Sequence, residues 1–324
     1  MLASYQLCNT LETLSIALKH LSTAKTVYLD CEGQDLGDQG GILSILSLGC
    51  VTSTSEVKNS ATLSIFLIDV PAFQTYTHQA NPSPLVPVFA ILTSKEVLKV
   101  GFDLRMDASE LRHGHDVVIT HVLDLQIVDL MCRDKSEEAV LQRLAGYLAP
   151  REVLRNREIY KHVLRLSGLD KALIDQGQSV PRKPKFDHSK WMHRPLDEDN
   201  LLYAAEDVSK IQVLYELLVR NPLVNVELAI QQSEAYIQSH ASARPDRTNK
   251  YLSHGLLPLA ILEGSTTLSA SDSKVCMGCK RSLQKAYFET NQQAIGGGSL
   301  CFVCHAVDQH TLEAQRNPPP SRLY

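Results

Sequence analysis

The segment TVYLDCE, residues 26–32, carries two carboxylates inside a run that otherwise has the composition of a buried strand. Side chains alternate between the faces of a strand, so Asp30 and Glu32 share one face while Cys31 points to the other. Burying two like charges is costly unless a cation or a proton compensates them, and a hard divalent ion with oxygen ligands is the usual compensation. The segment therefore predicts a metal site, with an exposed sheet edge as the structural alternative.

Two further acidic clusters lie downstream. In VGFDLRMDASEL, Asp103 ends a predicted strand and Asp107 lies one helical turn further on, although Asp103 alone could be a helix N-cap. In LLYAAEDVSKIQVLYELL, a strongly periodic helical pattern, Tyr203 and Asp207 are spaced i, i+4 and share one helix face. Considered separately, each cluster has an ordinary structural explanation.

The order of the predicted elements indicates an α/β domain. A capped helix over LETLSIALKHL precedes three β-rich runs that predict an antiparallel meander, with the polar TSTSEVKNSA as a hairpin loop. These runs are 26–32, 41–49 and 62–70. Helix PLVPVFAIL, strand EVLKVGF and helix LRMDASELRHGH follow. Beyond them the pattern is mainly helical, with helices predicted near 137–148, 152–166, 197–220 and 225–240.

In their order and spacing, the acidic clusters resemble the three motifs of the DEDDy group of 3′-5′ exonucleases. Asp30 and Glu32 match the first motif, Asp107 the second, and Tyr203-x-x-x-Asp207 the third. KWMHRPLDEDNLLYAAEDV is similar to a segment of ribonuclease D-like domains, and KVGFDLRMDASEL with VLDLQIVDL resembles the exonuclease-domain-containing branch of that family. The resemblance covers residues 4–220 and departs at Phe102-Asp103, where many relatives have His-Asn or His-Asp.

The resemblance implies an RNase H-like mixed sheet flanked by helices, with acids from the first core strand and two helices meeting around two Mg²⁺ or Mn²⁺ ions. It makes Asp30, Glu32, Asp107 and Asp207 the metal ligands, with Asp30 bridging. Tyr203 would orient the attacking water, because a phenol with an ordinary pKa near 10 is a poor base. Such a site hydrolyses phosphodiester bonds at the 3′ end of RNA or DNA and releases 5′-nucleotides.

A basic stretch at residues 180–194 precedes the third motif and is a candidate for holding a nucleic-acid backbone, with an ordinary solvated loop as the equal alternative. Its cationic residues are Arg182, Lys183, Lys185, Lys190, His193 and Arg194. The resemblance favours packing over base stacking for Trp191, the only tryptophan. Because the formal net charge is −4, contacts with a polyanion must come from such a local patch.

Four of the eight cysteines form two pairs near the end of the chain. CMGC holds Cys276 and Cys279, CFVC holds Cys301 and Cys304, and 21 residues separate the pairs. The spacing predicts one structural Zn²⁺ held by four thiolates in a small zinc-ribbon-like module, with a redox pair as the alternative and His305 as a substitute ligand. A closed site of this kind does not catalyse, but it is a candidate contact for nucleic acid or for a protein partner.

The predicted organisation has four parts. These are an exonuclease domain over 1–222, a helical segment and linker over 223–272, the zinc module over 273–308 and a disordered tail over 309–324. The chain shows neither a secretory signal nor an apolar run long enough to span a bilayer, which predicts a cytoplasmic or nuclear protein. The alternative function is a non-catalytic RNA-binding scaffold or adaptor that keeps the exonuclease fold.

Overall fold

The computed structural model describes residues 4–53, 61–77, 83–135, 139–181, 188–262, 272–288 and 299–316. The chain divides into two compact units. The first comprises Met1–Asp129 with Gly168–Pro245, and the second comprises Leu130–Ser167 with Asp246–Tyr324. The predicted hairpin loop TSTSEVKNSA falls largely on residues outside the described ranges.

The strands of the first unit form one mixed sheet in the order β1-β4-β3-β2-β5-β6. Its strands are β1 (Gln6–Cys8), β2 (Thr26–Gln34), β3 (Ile42–Ser53), β4 (Ala61–Asp69), β5 (Leu98–Gly101) and β6 (Val122–Asp124). Strands β2, β3 and β4 pair antiparallel, as the predicted meander requires, whereas β1–β4, β2–β5 and β5–β6 are parallel pairs. The mixed, helix-flanked sheet confirms the predicted RNase H-like fold class. Sequence reasoning did not find the short strands β1 and β6.

Within the described residues, the helices follow the predicted order more closely than the predicted lengths. They are α1 (Leu11–Leu21), α2 (Val70–Thr77), α3 (Val86–Thr93), α4 (Arg105–His115), α5 (Leu125–Lys135), α6 (Val140–Arg143), α7 (Pro150–Arg155), α8 (Arg157–Tyr160), α9 (Leu169–Asp175), α10 (Glu198–Leu218), α11 (Val226–Ile237) and α12 (Phe302–Arg316). The long helix predicted over 152–166 is interrupted at Asn156, whose backbone leaves the helical region and whose amide group donates to Glu152. Among the helices of the described ranges, none has the length and apolarity that a bilayer crossing requires.

The two faces of the sheet have different neighbours. The face of β2 that carries Val27, Leu29 and Cys31 belongs to a buried apolar core shared with helices α1, α3 and α4. The opposite face packs against α10, which contacts β2, β3, β4 and β5. Helix α10 approaches closely at Gly49, where an added Cβ would lie 2.6 Å from Val208 Cγ1. The acidic face of β2 is therefore covered by the helix that carries the third motif.

The first unit extends beyond the boundary at residue 222 that the sequence suggested. Helix α11 packs along strand β6 at the sheet edge. Ser233 Oγ accepts the backbone N–H of Asp124 at 2.9 Å, and Glu234 Oε1 accepts that of His121 at 3.0 Å. Residues 223–245, predicted to be a helical segment and linker, are thus part of the sheet domain.

The second unit combines the cysteine segment with helices α6 to α8. Strands β7 (Ser273–Val275) and β8 (Ser282–Gln284) form an antiparallel hairpin. The core of this unit joins Leu144, Tyr160 and Leu256 to Phe302 and the cysteines. The predicted module is therefore not a separate body over 273–308, because its apolar side chains pack on helices from residues 140–160. Residues 309–316, predicted as disordered tail, continue helix α12, and 317–324 lie outside the described ranges.

Candidate functional site

Three carboxylates from two elements converge above the sheet. Oxygen atoms of Asp30, Glu32 and Asp207 lie within 4.8 Å of one another. Strand alternation puts the first two on one face of β2, and α10 brings the third to that face. Glu32 is buried, at 8% exposure, and the other two are half-buried. Three neighbouring carboxylates under partial burial repel one another, so this donor set fits a hard cation.

The fourth predicted acid, Asp107, reaches the same strand by another route. It lies in the first turn of α4, and its Oδ1 accepts the backbone N–H of Cys31 at 2.9 Å. Cys31 is the residue between Asp30 and Glu32, so Asp107 is joined directly to the acidic segment of β2. Burial raises the pKa of the Asp107 carboxyl to about 7, because its charged form loses solvation.

The start of α4 is held by a residue that sequence reasoning did not single out. Asp124, at the end of β6, accepts the backbone N–H groups of Asp103 and Leu104 at 3.0 and 2.8 Å. Asp103 has a left-handed backbone, with φ +56°, and its carboxylate pairs with Arg105 Nε at 2.7 Å. The N-cap role considered for Asp103 therefore falls to Asp124, which comes from a different strand and has no local sequence signature.

Tyr203 lies one helical turn before Asp207 on α10, as its i, i+4 spacing predicted. Burial raises the pKa of the phenol, and so do the negative charges of Asp207, Glu32 and Asp30 and a hydrogen bond to Asp207. The hydroxyl consequently stays protonated and donates to the Asp207 carboxylate. Lys210, one turn further along, lies 3.8 Å from the Asp207 carboxylate.

The segment before α10 is anchored to the sheet. Trp191 is fully buried and packs edge-on against the Tyr203 ring at 6.2 Å between centroids, which confirms the packing role expected for it. Arg194 pairs with Asp69 at 2.8 Å and donates to Ser44 Oγ at 2.9 Å. Ser44 faces this segment because the β2–β3 register shifts after Glu32 and leaves Ser44 unpaired in the ladder.

Of the six cationic residues in the basic stretch, Lys190, His193 and Arg194 belong to the described part of the chain. Lys190 is exposed, with its Nζ 3.8 Å from Asp197, and Arg194 is engaged with the sheet as above. Arg182, Lys183 and Lys185 lie outside the described residues. Lys190 therefore presents its cation at the surface, whereas Arg194 is held against the sheet by Asp69.

The four C-terminal cysteines converge in the second unit. Their Sγ atoms lie within 4.8 Å of one another, with Cys276 and Cys279 at the β7–β8 turn, and Cys301 and Cys304 at the start of α12. The Cys301 backbone N–H donates to Cys276 Sγ at 3.2 Å. Hydrogen bonds from the other three thiols lower the pKa of Cys276. Tetrahedral coordination with Zn–S bonds of about 2.3 Å separates sulfurs by ~3.8 Å, so the cluster has the required size.

Two neighbours shape the cysteine cluster. A Cβ on Gly278 would lie 2.9 Å from Cys304 Sγ, so only glycine allows the two halves of the cluster to approach. Arg281 follows the first pair, and its Nη1 is buried with no hydrogen-bond partner among the described residues. Burial lowers the pKa of this guanidinium, while the charges of Cys279, Cys301 and Cys304 act in the opposite direction.

Comparison with known proteins gives consistent results. A 3′-5′ exonuclease family model matches residues 5–221. The structure of Trypanosoma brucei RNase D in complex with RNA U12 is 24% identical, covers 80% of this chain and 78% of that chain, and superposes with a TM-score of 0.56. A second structure of Trypanosoma brucei RNase D is 22% identical over 81% of this chain and 82% of that chain, with a TM-score of 0.57. These likenesses demonstrate a common fold. No curated protein matches the chain significantly.

Proposed function

The chain belongs to the 3′-5′ exonuclease family, and we propose that Asp30, Glu32, Asp107 and Asp207 are the ligands of its catalytic metal ions. The enzyme is a metal-dependent hydrolase of phosphodiester bonds and binds nucleic acid. The observation that carries the assignment is the convergence of three of these four acids, because oxygen atoms of Asp30, Glu32 and Asp207 lie within 4.8 Å of one another. The non-catalytic scaffold is not favoured, because such a protein has no need to gather these acids.

The donor set fits two Mg²⁺ or Mn²⁺ ions. All four groups are carboxylates, the ligand type that these hard ions prefer, and each can offer two oxygens. Asp107 uses Oδ1 for the Cys31 backbone N–H, and we assign its other oxygen, Oδ2, to a metal. When bound, two such ions supply the Lewis acidity that lowers the pKa of the attacking water and neutralises charge on the phosphate.

The protein's own residues then position the reactants. The protonated Tyr203 hydroxyl is a hydrogen-bond donor and cannot remove a proton, so we assign it to orienting the attacking water. Trp191 packs against the Tyr203 ring and limits the positions that the phenol can adopt. The ion pair of Arg194 with Asp69 fixes the chain segment that carries Trp191.

We take RNA as the substrate class, since the fold is shared with an RNase D whose structure contains RNA U12. Lys190 is the surface cation suited to a backbone phosphate, together with Arg182, Lys183 and Lys185 from the sequence pattern. Matched RNA and DNA oligomers test this choice. Faster cleavage of DNA would reverse it without affecting the catalytic assignment.

For the cysteine cluster we propose one structural Zn²⁺ bound by Cys276, Cys279, Cys301 and Cys304. Four buried or half-buried thiols around one point form a closed tetrathiolate set, which suits a structural ion and leaves no position for a substrate. Elemental analysis should find one zinc per chain in the wild type. Loss of zinc in Cys304→Ser, with a lowered unfolding temperature, is expected.

The central experiment follows cleavage of a 5′-labelled RNA with Mn²⁺. The wild type should produce a ladder shortened from the 3′ end, and a 3′-phosphate should block it. Asp30→Asn and Asp207→Asn should produce no ladder. Asp116→Asn is the matched control, because Asp116 is an exposed acid at the end of α4 and its left-handed backbone tolerates asparagine. Equal activity in Asp30→Asn and wild type would refute the assignment.

A further inference from the structure

A buried ion pair lies on the helix that carries Asp107. Glu110, on α4, is 1% exposed. Its carboxylate accepts Arg244 Nη1 at 2.6 Å and Nη2 at 3.1 Å, and also the backbone N–H of Gly37 at 3.0 Å. A two-pronged contact of this kind holds a guanidinium in one orientation.

The same guanidinium holds a loop that begins just after the catalytic strand. The β2–β3 loop, residues 35–41, follows directly from β2. Arg244 Nη1 donates to the carbonyl oxygens of Asp38 at 3.0 Å and Gly41 at 3.1 Å. The next residue, Pro245, accepts the backbone N–H of Gln39 at 3.3 Å. One chain segment therefore holds the loop at three positions.

Helix α4 contacts the loop directly as well. Ser109 Oγ donates to the Gly37 carbonyl at 2.6 Å. Gly37 lies so close to the α4 backbone that a Cβ there would be 2.3 Å from the Met106 carbonyl oxygen, and its φ is +74°. Met106 immediately precedes Asp107. The loop thus connects the end of β2, which carries Glu32, to the turn of α4 that carries Asp107.

We propose that Arg244 and Glu110 are positioning residues that set the distance of Asp107 from Asp30 and Glu32, and thereby the binding of the second metal ion. This inference rests on the proposed metal site. Apart from these contacts, Asp107 is linked to β2 through Cys31, by the hydrogen bond from the Cys31 backbone N–H and by a side-chain hydrogen bond. A small tilt of α4 would separate the acids, and a misplacement of ~1 Å can cost about 100-fold in rate.

The informative variant is Arg244→Lys. It keeps the charge opposite Glu110, but a compact ammonium cannot reproduce both prongs to Glu110 and the contacts to the Asp38 and Gly41 carbonyls. We expect kcat to fall about 10-fold or more, with KM for the oligonucleotide within about 2-fold of wild type. The Mn²⁺ concentration at half-maximal binding should rise. Ser109→Ala, which removes one contact and no charge, should shift both quantities in the same direction by less.

Mn²⁺ binding is measured without substrate, from the electron paramagnetic resonance of free Mn²⁺, beside kcat, KM and the unfolding temperature. Arg112→Gln is the matched control, because Arg112 is also on α4 but bonds Gln238 and not the loop. A lower unfolding temperature in Arg244→Lys and Ser109→Ala with wild-type Mn²⁺ binding and kcat would overturn the inference. If the wild type itself binds no Mn²⁺, the proposed site fails instead.

Discussion

Substituting Gly49 by alanine tests whether the close packing of α10 on the sheet determines catalysis. Gly49 lies opposite Tyr28 in the β2–β3 ladder, beneath α10. The added methyl would lie 2.6 Å from Val208 Cγ1, whereas carbon atoms in contact prefer about 3.5–4.0 Å. Valine in a helix has essentially one χ1 rotamer, so the methyl group cannot turn aside and the helix must move.

The required displacement is about 1 Å, and Val208 is the neighbour of Asp207. Overpacking of this kind costs about 1–3 kcal/mol of stability, so most of the protein should remain folded at ambient temperature. The movement carries Asp207 and Tyr203 away from Asp30, and we expect the single-turnover rate to fall about 10- to 100-fold.

The assay is the single-turnover rate on 5′-labelled RNA at saturating Mn²⁺, with the unfolding temperature measured in parallel. Val208→Ala in the Gly49→Ala background removes the clashing methyl and should restore much of the rate. Gly168→Ala is the control, because a Cβ there would meet no atom within 4 Å. A wild-type single-turnover rate in Gly49→Ala, or no recovery of that rate in the double variant, would refute the reasoning.

Three further predictions concern stability and metal retention. Arg194→Ala should lower the free energy of unfolding by about 3 kcal/mol, because it leaves the buried Asp69 carboxylate unpaired. A raised KM for RNA with an unchanged free energy of unfolding would contradict this and would support a phosphate contact instead. Burial lowers the pKa of Lys99 from 10.5 to about 8. Between about pH 8 and pH 10.5 the Lys99 amine is therefore protonated in the unfolded chain and neutral in the folded chain, so the free energy of unfolding rises with pH. Lys99→Met should flatten that rise in urea titrations across this pH range. Arg281→Gln should weaken zinc retention against a chelator about 10-fold, because the variant loses a buried cation next to the thiolates. Lys285→Gln is the control, because Lys285 is exposed and its loss should leave zinc retention unchanged.

The parts of the candidate site that sequence reasoning found have short-range signatures. Alternation along β2 places Asp30 and Glu32 on one face whatever the rest of the fold, and the i, i+4 spacing does the same for Tyr203 and Asp207. Each cysteine pair also has a short-range signature, because its two cysteines come from one turn. These local rules, combined with the family resemblance, predicted that Asp30, Glu32 and Asp207 lie together, and their oxygen atoms are within 4.8 Å of one another.

The supporting contacts have no such signature. Arg194 bonds Ser44 across 150 positions of the chain, and Arg244 bonds Glu110 across 134. The residues around Arg244 do not distinguish it from a solvated surface residue, and the family resemblance around Arg194 does not say which residue it pairs with. These pairings exist only once the sheet has assembled, so the local sequence does not predict them. The sequence analysis therefore placed Arg194 among the nucleic-acid contacts and ended the domain before Arg244.

The contact of α11 with β6 also bears on self-association of the protein. Strand β6 is the outermost on its side of the sheet, and the side chains of Ser233 and Glu234 occupy amide groups that a further strand would otherwise use. A chain cut at residue 222 would leave those groups open to a strand from a second molecule. Helix α11 therefore blocks intermolecular strand pairing at the β6 edge of the sheet.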